Sequence, residues 1–188
     1  MLKKWYKKLE RKKMTKILII IDYQNDFVDG VLGFEEAKLI EGKLQKRIIE
    51  AKKNNEKIIV TLDTHHENEN TIESKRIIKH AIKNTKGWEL YGDVKKELQD
   101  YDVLFFEKNT FGSIELGQYL KDKYNECEIE ICGIISNICV LSNLVLIQNF
   151  LPQAKIIIDP GLITTPNKEL EKPLIEIFKN LLVEIKKS

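Results

Sequence analysis

The chain has 188 residues, 43% of them hydrophobic and 32% charged, a balance that supports a full-sized core and excludes a disordered polymer; its apolar runs are too short to span a bilayer. The net charge of +2 is unevenly placed, because residues 1–14 carry seven Lys or Arg against one Glu and leave −4 for the remainder; the globular part therefore offers no nucleic-acid surface. Cys127, Cys132 and Cys139 are the three cysteines and suggest no disulfide framework, so with no signal peptide visible the expected location is a reducing cytoplasm.

Residues 1–14 read as a basic N-terminal extension. Leu2, Trp5, Tyr6 and Leu9 fall at helical spacing among the lysines, which allows a weak amphipathic contact with a membrane surface or acidic partner. A start at Met14 would open the following domain, residues 15–188, equally well. Lys16–Ile21 is a continuous β-branched run, the pattern of a strand buried on both faces of a parallel sheet. Glu35–Asn54 predicts an amphipathic helix, Lys57–Leu62 a second strand, Val94–Leu98 a short helix and Val103–Phe106 a third strand. A helix over Ile114–Tyr124, a strand over Glu128–Cys132 and a helix over Val140–Phe150 follow. Lys155–Asp159 is a fifth strand closed by Pro160-Gly161, and a helix over Lys168–Asn180 precedes a last strand near Leu182–Ile185. Alternation of this kind predicts an α/β fold: a three-layer, doubly wound sheet of about six mostly parallel strands with helices on both faces.

In open α/β sheets, ligands bind outside the carboxyl ends of the strands. Asp22, Asp63 and Lys108 each stand at such an end, and Cys139 lies just past a fourth, where Gly133-Ile134-Ile135-Ser136-Asn137-Ile138-Cys139 turns from strand to helix. The first turn of a helix has unpaired N–H groups and a positive dipole end, both of which favour a thiolate. Asp22 follows five apolar residues, so burial should raise its pKa and suit it to proton transfer. Lys108, at the end of an apolar strand, needs a carboxylate beside it. Together the three read as a base, a cation and a nucleophile. Taken singly, each residue is as easily a cap, a surface lysine or a core thiol; their common edge makes the case.

The three histidines, His65, His66 and His80, share one window. A period of two places Asp63 and His65 on one side of an extended backbone and turns His66 away. A carboxylate with imidazoles suits Zn²⁺ or another divalent first-row ion, Fe and Mn included. A merely solvated polar loop would show the same spacing.

Five blocks now stand in order: Asp22-Tyr23-Gln24-Asn25-Asp26-Phe27, Asp63-x-His65, His80, Glu107-Lys108-x-x-Phe111-Gly112-Ser113 and Gly133-x-x-Ser136-Asn137-x-Cys139-Val140. From about Thr15 onward the chain thereby resembles the nicotinamidases, within the isochorismatase-like cysteine hydrolases. The resemblance implies a catalytic triad of Asp22, Lys108 and Cys139 and a metal held by Asp63, His65 and His80. It also implies a cis peptide at Ile134–Ile135 and an oxyanion hole of the Ile135 and Cys139 backbone N–H groups. Phe27, Gln24, Trp88 and Phe111 would bind a small amide substrate, nicotinamide foremost. Relatives commonly assemble, so a homo-oligomer is expected. Thr64 stands where the family usually has an aromatic residue, and Asn84 where a glycine is usual in a turn; Asn tolerates the positive φ such a turn requires.

Overall fold

Six strands pair side by side, every pair parallel, in the order β3-β2-β1-β4-β5-β6. In this computed structural model, which describes residues 14–187, they are β1 (Thr15–Ile21), β2 (Lys57–Asp63), β3 (Val103–Lys108), β4 (Cys127–Ile134), β5 (Lys155–Thr164) and β6 (Glu184–Ile185). The amphipathic segment expected at the N-terminus lies, Met14 aside, outside the described residues.

The continuous apolar runs have a direct physical reading, since both faces of the sheet are covered. On one face Ile17, Ile19 and Ile21 pack with Leu116 and Leu120 of α6 (Ile114–Lys123), Leu144 and Ile147 of α7 (Leu141–Phe150) and Phe178 of α8 (Glu171–Asn180). On the other face Leu18 and Ile20 meet Leu44 and Ile48 of α3 (Glu41–Lys53) and Val94 and Leu98 of α5 (Gly92–Leu98). Three shorter helices, α1 (Asn25–Val28), α2 (Glu35–Leu39) and α4 (Ile72–Arg76), shape the loops beyond β1 and β2.

Several boundaries differ from the pattern expected of the sequence, two of them by more than a turn or a strand end. The helix expected over Glu35–Asn54 is two, α2 and α3, broken at Ile40, whose N–H turns to Lys38 O. The fifth strand runs past Pro160 to Thr164, because two steps along β4 (Ile131 to Gly133) match five along β5 (Ile158 to Ile163). Pro160, which has no N–H to donate, sits in that bulge, where the ladder requires none.

The strand order reverses direction between β1 and β4, and a crevice at such a switch point is where open α/β sheets bind ligands. Asp22 leaves the end of β1, and the turn carrying Cys139 leaves the end of β4. The two strands come together closely here. Gly133, in register with Ile21, adopts φ +110°, and a Cβ on it would fall 2.1 Å from Ile21 O. Only glycine fits. Gly133→Ala should therefore lower stability by at least about 1–3 kcal/mol, the range of a strained left-handed residue, before the clash is counted. Chemical denaturation checks this, and a midpoint equal to that of the parent chain would contradict the close approach.

Candidate active site and metal centre

The register of the sheet builds the first half of the site. Asp63 and Lys108 are direct partners across β2 and β3, and Thr61 is the partner of Ile21, the residue before Asp22. Lys108, 6% exposed, places its Nζ 2.6 Å from Asp22 Oδ2, 3.1 Å from Asp63 Oδ1 and 3.8 Å from Cys139 Sγ. One ammonium with three donors thus faces two carboxylates and a sulfur. Its contact with Asp22 Oδ2 is an ion pair, and that oxygen, with two lone pairs, can hold it and still accept a proton. The other oxygen, Oδ1, accepts a hydrogen bond from Thr61 Oγ1 at 2.6 Å.

The electrostatics separate these groups. Burial raises the Asp22 pKa, against the opposing pull of Lys108. For Asp63 burial works in the same upward direction, but hydrogen bonds from His65 and His80 and the charge of Lys108 outweigh it and hold the carboxyl well below its usual range. Burial and the Asp22 charge push the Cys139 thiol well above its ordinary value, with Lys108 opposing. Lys108 itself stays protonated, because the two carboxylates and Cys139 more than offset its burial. The arrangement holds a fixed cation, a permanently ionised Asp63, and an Asp22–Cys139 pair of which Asp22 is the group suited to take a proton.

Cys139 sits in a π-helical turn, Ser136–Val140, that leads into α7. The peptide between Ile134 and Ile135 is cis, as the resemblance implied. Asn143, fully buried one turn further on, donates from Nδ2 to Cys139 O (2.8 Å) and Phe111 O (3.1 Å) and accepts from Ser113 N (3.0 Å). It ties the turn bearing the thiol to the loop that follows Lys108. Neither Thr61 nor Asn143 is singled out by the sequence, where each looks like an ordinary polar residue inside an apolar element.

Beside the cation, two imidazoles converge. His65 Nε2 lies 3.0 Å and His80 Nε2 3.4 Å from the same oxygen, Asp63 Oδ2, and Glu73 Oε1 stands 3.7 Å from His80 Nε2. Ligand atoms of Asp63, His65, Glu73 and His80 all fall within 4.8 Å of one another. Two imidazoles and two carboxylates form a donor set that fits a divalent first-row ion. Their surroundings also raise the basicity of both rings: His65 to about 8, chiefly through its bond to Asp63, and His80 to about 10, where Asp63 and Glu73 overcome the effect of burial. The same negative field favours a cation. Glu73 is absent from the residues expected of the sequence; it lies on α4, which starts at a Thr71–Ser74 capping box.

Local pairing explains how His80 reaches His65. His65 bridges Ile82 in parallel, with His65 N donating to Ala81 O and Lys83 N to His65 O. Ala81 has φ +44°, and its N–H is held by Asp26 Oδ2 at 2.8 Å. A Cβ at Gly87 would stand 2.1 Å from that same oxygen, so a side chain there would displace the Asp26 carboxylate. Asn84 adopts φ +67°, as its place in the turn suggested, and His66 points to solvent.

Of the four residues expected to bind substrate, Phe27 is beside the centre, its ring edge-on to His80 at 5.4 Å. Gln24 has a different task. Its Nε2 donates to Asp63 O and Trp88 O and its Oε1 accepts from Asp63 N, so the buried amide clamps the end of β2 and has no donor left for a ligand. Trp88 donates its indole N–H to Thr64 Oγ1 at 2.8 Å and lines a groove of about 480 Å³ with Leu62, Leu90 and Phe105. With Thr64 in place of an aromatic residue, the indole finds a hydroxyl partner there. Phe111 is 43% exposed.

A family model described as the isochorismatase domain matches residues 16–146. A Bacillus subtilis (strain 168) protein, described as the uncharacterized isochorismatase family protein PncA, is 32% identical over 139 residues, covering 68% of this chain and 75% of its own. The crystal structure of nicotinamidase/pyrazinamidase PncA from Bacillus subtilis superposes with a TM-score of 0.83 at 26% identity, over 93% of this chain and 100% of that one. The pyrazinamidase/nicotinamidase of Streptococcus mutans UA159 gives 0.82 at 26% identity, over 92% and 100%. The family match runs from β1 through the turn that carries Cys139, and so includes all four strand ends that meet at Lys108: the chain belongs to the isochorismatase domain family.

Proposed function

We propose that this isochorismatase-family hydrolase is a nicotinamidase, an amidohydrolase that converts nicotinamide to nicotinate and ammonia through a thioester on Cys139. The observation that carries the reading is the placement of Cys139 Sγ, Asp22 and Asp63 around one buried Lys108 ammonium at the switch point of the sheet. The similar solved structures from Bacillus subtilis and Streptococcus mutans are those of a nicotinamidase/pyrazinamidase and a pyrazinamidase/nicotinamidase.

Asp22 Oδ2 takes the thiol proton as Cys139 Sγ attacks the amide carbon. The Ile135 and Cys139 backbone N–H groups, on either side of the turn, serve as donors to the oxyanion. Asp22 then returns its proton to the departing ammonia, and the carbon–nitrogen bond breaks. A water gives a proton to the same Asp22 while its oxygen attacks the thioester carbon; the carbon–sulfur bond breaks, the acid leaves, and Asp22 returns the proton to Cys139 Sγ to regenerate the thiol. Lys108 stays charged throughout, favouring the ionised forms of Asp22 and Cys139. Asp63, His65, His80 and Glu73 would hold a divalent ion, with Zn²⁺ the first choice and Fe or Mn alternatives, which when bound supplies a Lewis-acid anchor for a pyridine nitrogen. Phe27, edge-on to His80, would wall the ring.

The same reading includes a homo-oligomer and a cytoplasmic location. Exposed Leu104 and Phe105 on the edge strand β3 are surface that assembly would cover. The three cysteines are free and buried, which suits a reducing compartment. Among the described residues no helix is long and apolar enough to cross a membrane.

Ammonia release from nicotinamide by metal-loaded protein, measured beside a panel of other small amides, tests the proposal. Nicotinamide should be the preferred substrate, and Cys139→Ala should reduce turnover by at least about 10³-fold. Preference for another amide with the same Cys139 dependence would discard the substrate and keep the chemistry. A second expectation concerns pH. Because Asp22 has a raised pKa and must be ionised to act, activity at saturating metal should fall on the acid side with a midpoint above 3.8. The Thr61 hydroxyl favours the ionised carboxylate, so Thr61→Val should move that midpoint upward. A downward or absent shift in the pH–rate profile would contradict the assignment of Asp22 as the base.

A further inference from the structure

One carboxylate touches the metal centre from behind. Glu69 Oε2 lies 2.6 Å from His65 Nδ1, the ring nitrogen that faces away from Asp63, while Nε2 of the same ring faces Asp63 Oδ2 at 3.0 Å. We propose that Glu69 is a positioning residue for the cation site: it accepts the His65 Nδ1 proton, fixes the ring and its tautomer, and so presents a bare Nε2 to a divalent ion. The inference rests on the metal reading above.

The loop is built to bring this side chain back. Glu69 N donates to His66 O at 3.2 Å, closing a turn. Ser74 Oγ, the partner of Thr71 in the cap of α4, lies 3.0 Å from both Glu69 O and Thr71 O and shares its one proton between them. The Glu69 backbone is thereby held through its N–H and approached at its C=O by Ser74, four residues past His65. The neighbouring acid, Glu67, is engaged elsewhere, in an exposed pair with Lys79 at 2.7 Å. His80 has the same arrangement with a neutral acceptor, its Nδ1 lying 2.7 Å from Ile78 O. Both rings therefore have Nδ1 engaged by an outer partner and Nε2 directed inward. Glu69 does not belong to the group of converging ligand atoms, which comprises Asp63, His65, Glu73 and His80. It touches the far side of a ligand. A carboxylate in this position also raises the basicity of the nitrogen that binds metal.

The test is Zn²⁺ affinity of the full-length protein, measured by competition with a chromophoric chelator, together with the absorption spectrum of the Co²⁺-loaded form. Glu69→Ala should weaken Zn²⁺ binding by about 10–100-fold, the usual effect of losing an outer partner. Glu69→Gln should lose less, because its amide oxygen still accepts from Nδ1, and Glu67→Gln should bind as the parent does. The Co²⁺ bands of saturated Glu69→Ala should keep the parent pattern, since no ligand is lost. Parent-like Zn²⁺ affinity in Glu69→Ala would overturn the inference. So would a Co²⁺ spectrum showing one ligand fewer, which would make Glu69 a direct ligand. Should Glu69→Ala fail to fold, as judged by thermal unfolding without metal, Glu69→Gln decides: weaker binding than the parent supports the role and equal binding refutes it. A folded parent protein that binds no Zn²⁺ would instead overturn the metal reading itself.

Discussion

A buried ammonium sets the terms of this structure. Lys108 ends an edge strand, yet its Nζ is enclosed between Asp22 and Asp63, and taking such a charge out of water costs several kcal/mol unless partners offset it. Two carboxylates do so, and they come from two other strand ends because the parallel register places Asp63 directly beside Lys108 and Asp22 one strand further on. The polar ends of three apolar strands thus need one another. Cys139, delivered by the turn after β4, completes the ring of groups around the lysine.

Asp63 links two halves of the site. One oxygen faces Lys108 and the other faces His65 and His80, so the same side chain belongs to the proposed hydrolytic group and to the proposed cation site. Its backbone is clamped in turn by the Gln24 side chain. The pKa directions follow from this geometry. Asp63, with a cation and two imidazoles around it, is driven acidic, while Asp22, facing Lys108 but deeper from solvent, is driven the other way. Carboxylates whose environments push them apart in this manner take different roles. In the proposed mechanism Asp63 holds charge and Asp22 moves protons.

Much of this was legible in the sequence, for a physical reason. A strand buried on both faces reads as an unbroken apolar run, so a charged residue closing it stands out, as Asp22 does after β1 and Asp63 at the end of β2; β3 is a half-exposed edge strand of apolar residues, and Lys108 follows Glu107 at its end. The period of two predicted Asp63 and His65 on one side with His66 turned out, as found. What escaped notice depends on contacts across the fold. Thr61 and Asn143 matter through partners 39 and 30 residues away, Asp22 and Ser113, and nothing local marks them. Glu69 lies in an acidic, polar loop and Glu73 on the short helix α4 that follows it, and their path back to the histidines is set by a capping box and a bridge to Ile82. Gln24 and Trp88 were expected at the substrate. Their polar groups find partners within the protein, the Gln24 amide in the backbone of Asp63 and Trp88 and the indole N–H in Thr64, because buried polar groups take protein acceptors.

The most direct test of Cys139 as nucleophile is a single-turnover reaction with nicotinamide, enzyme in excess, quenched in acid and mapped by peptide mass. An acyl group carried as a thioester on the peptide containing Cys139, rising before nicotinate appears and absent in Asp22→Asn, is the predicted result. Ammonia and nicotinate released together with no acylated Cys139 at any time, or an acyl group on another residue, would contradict it.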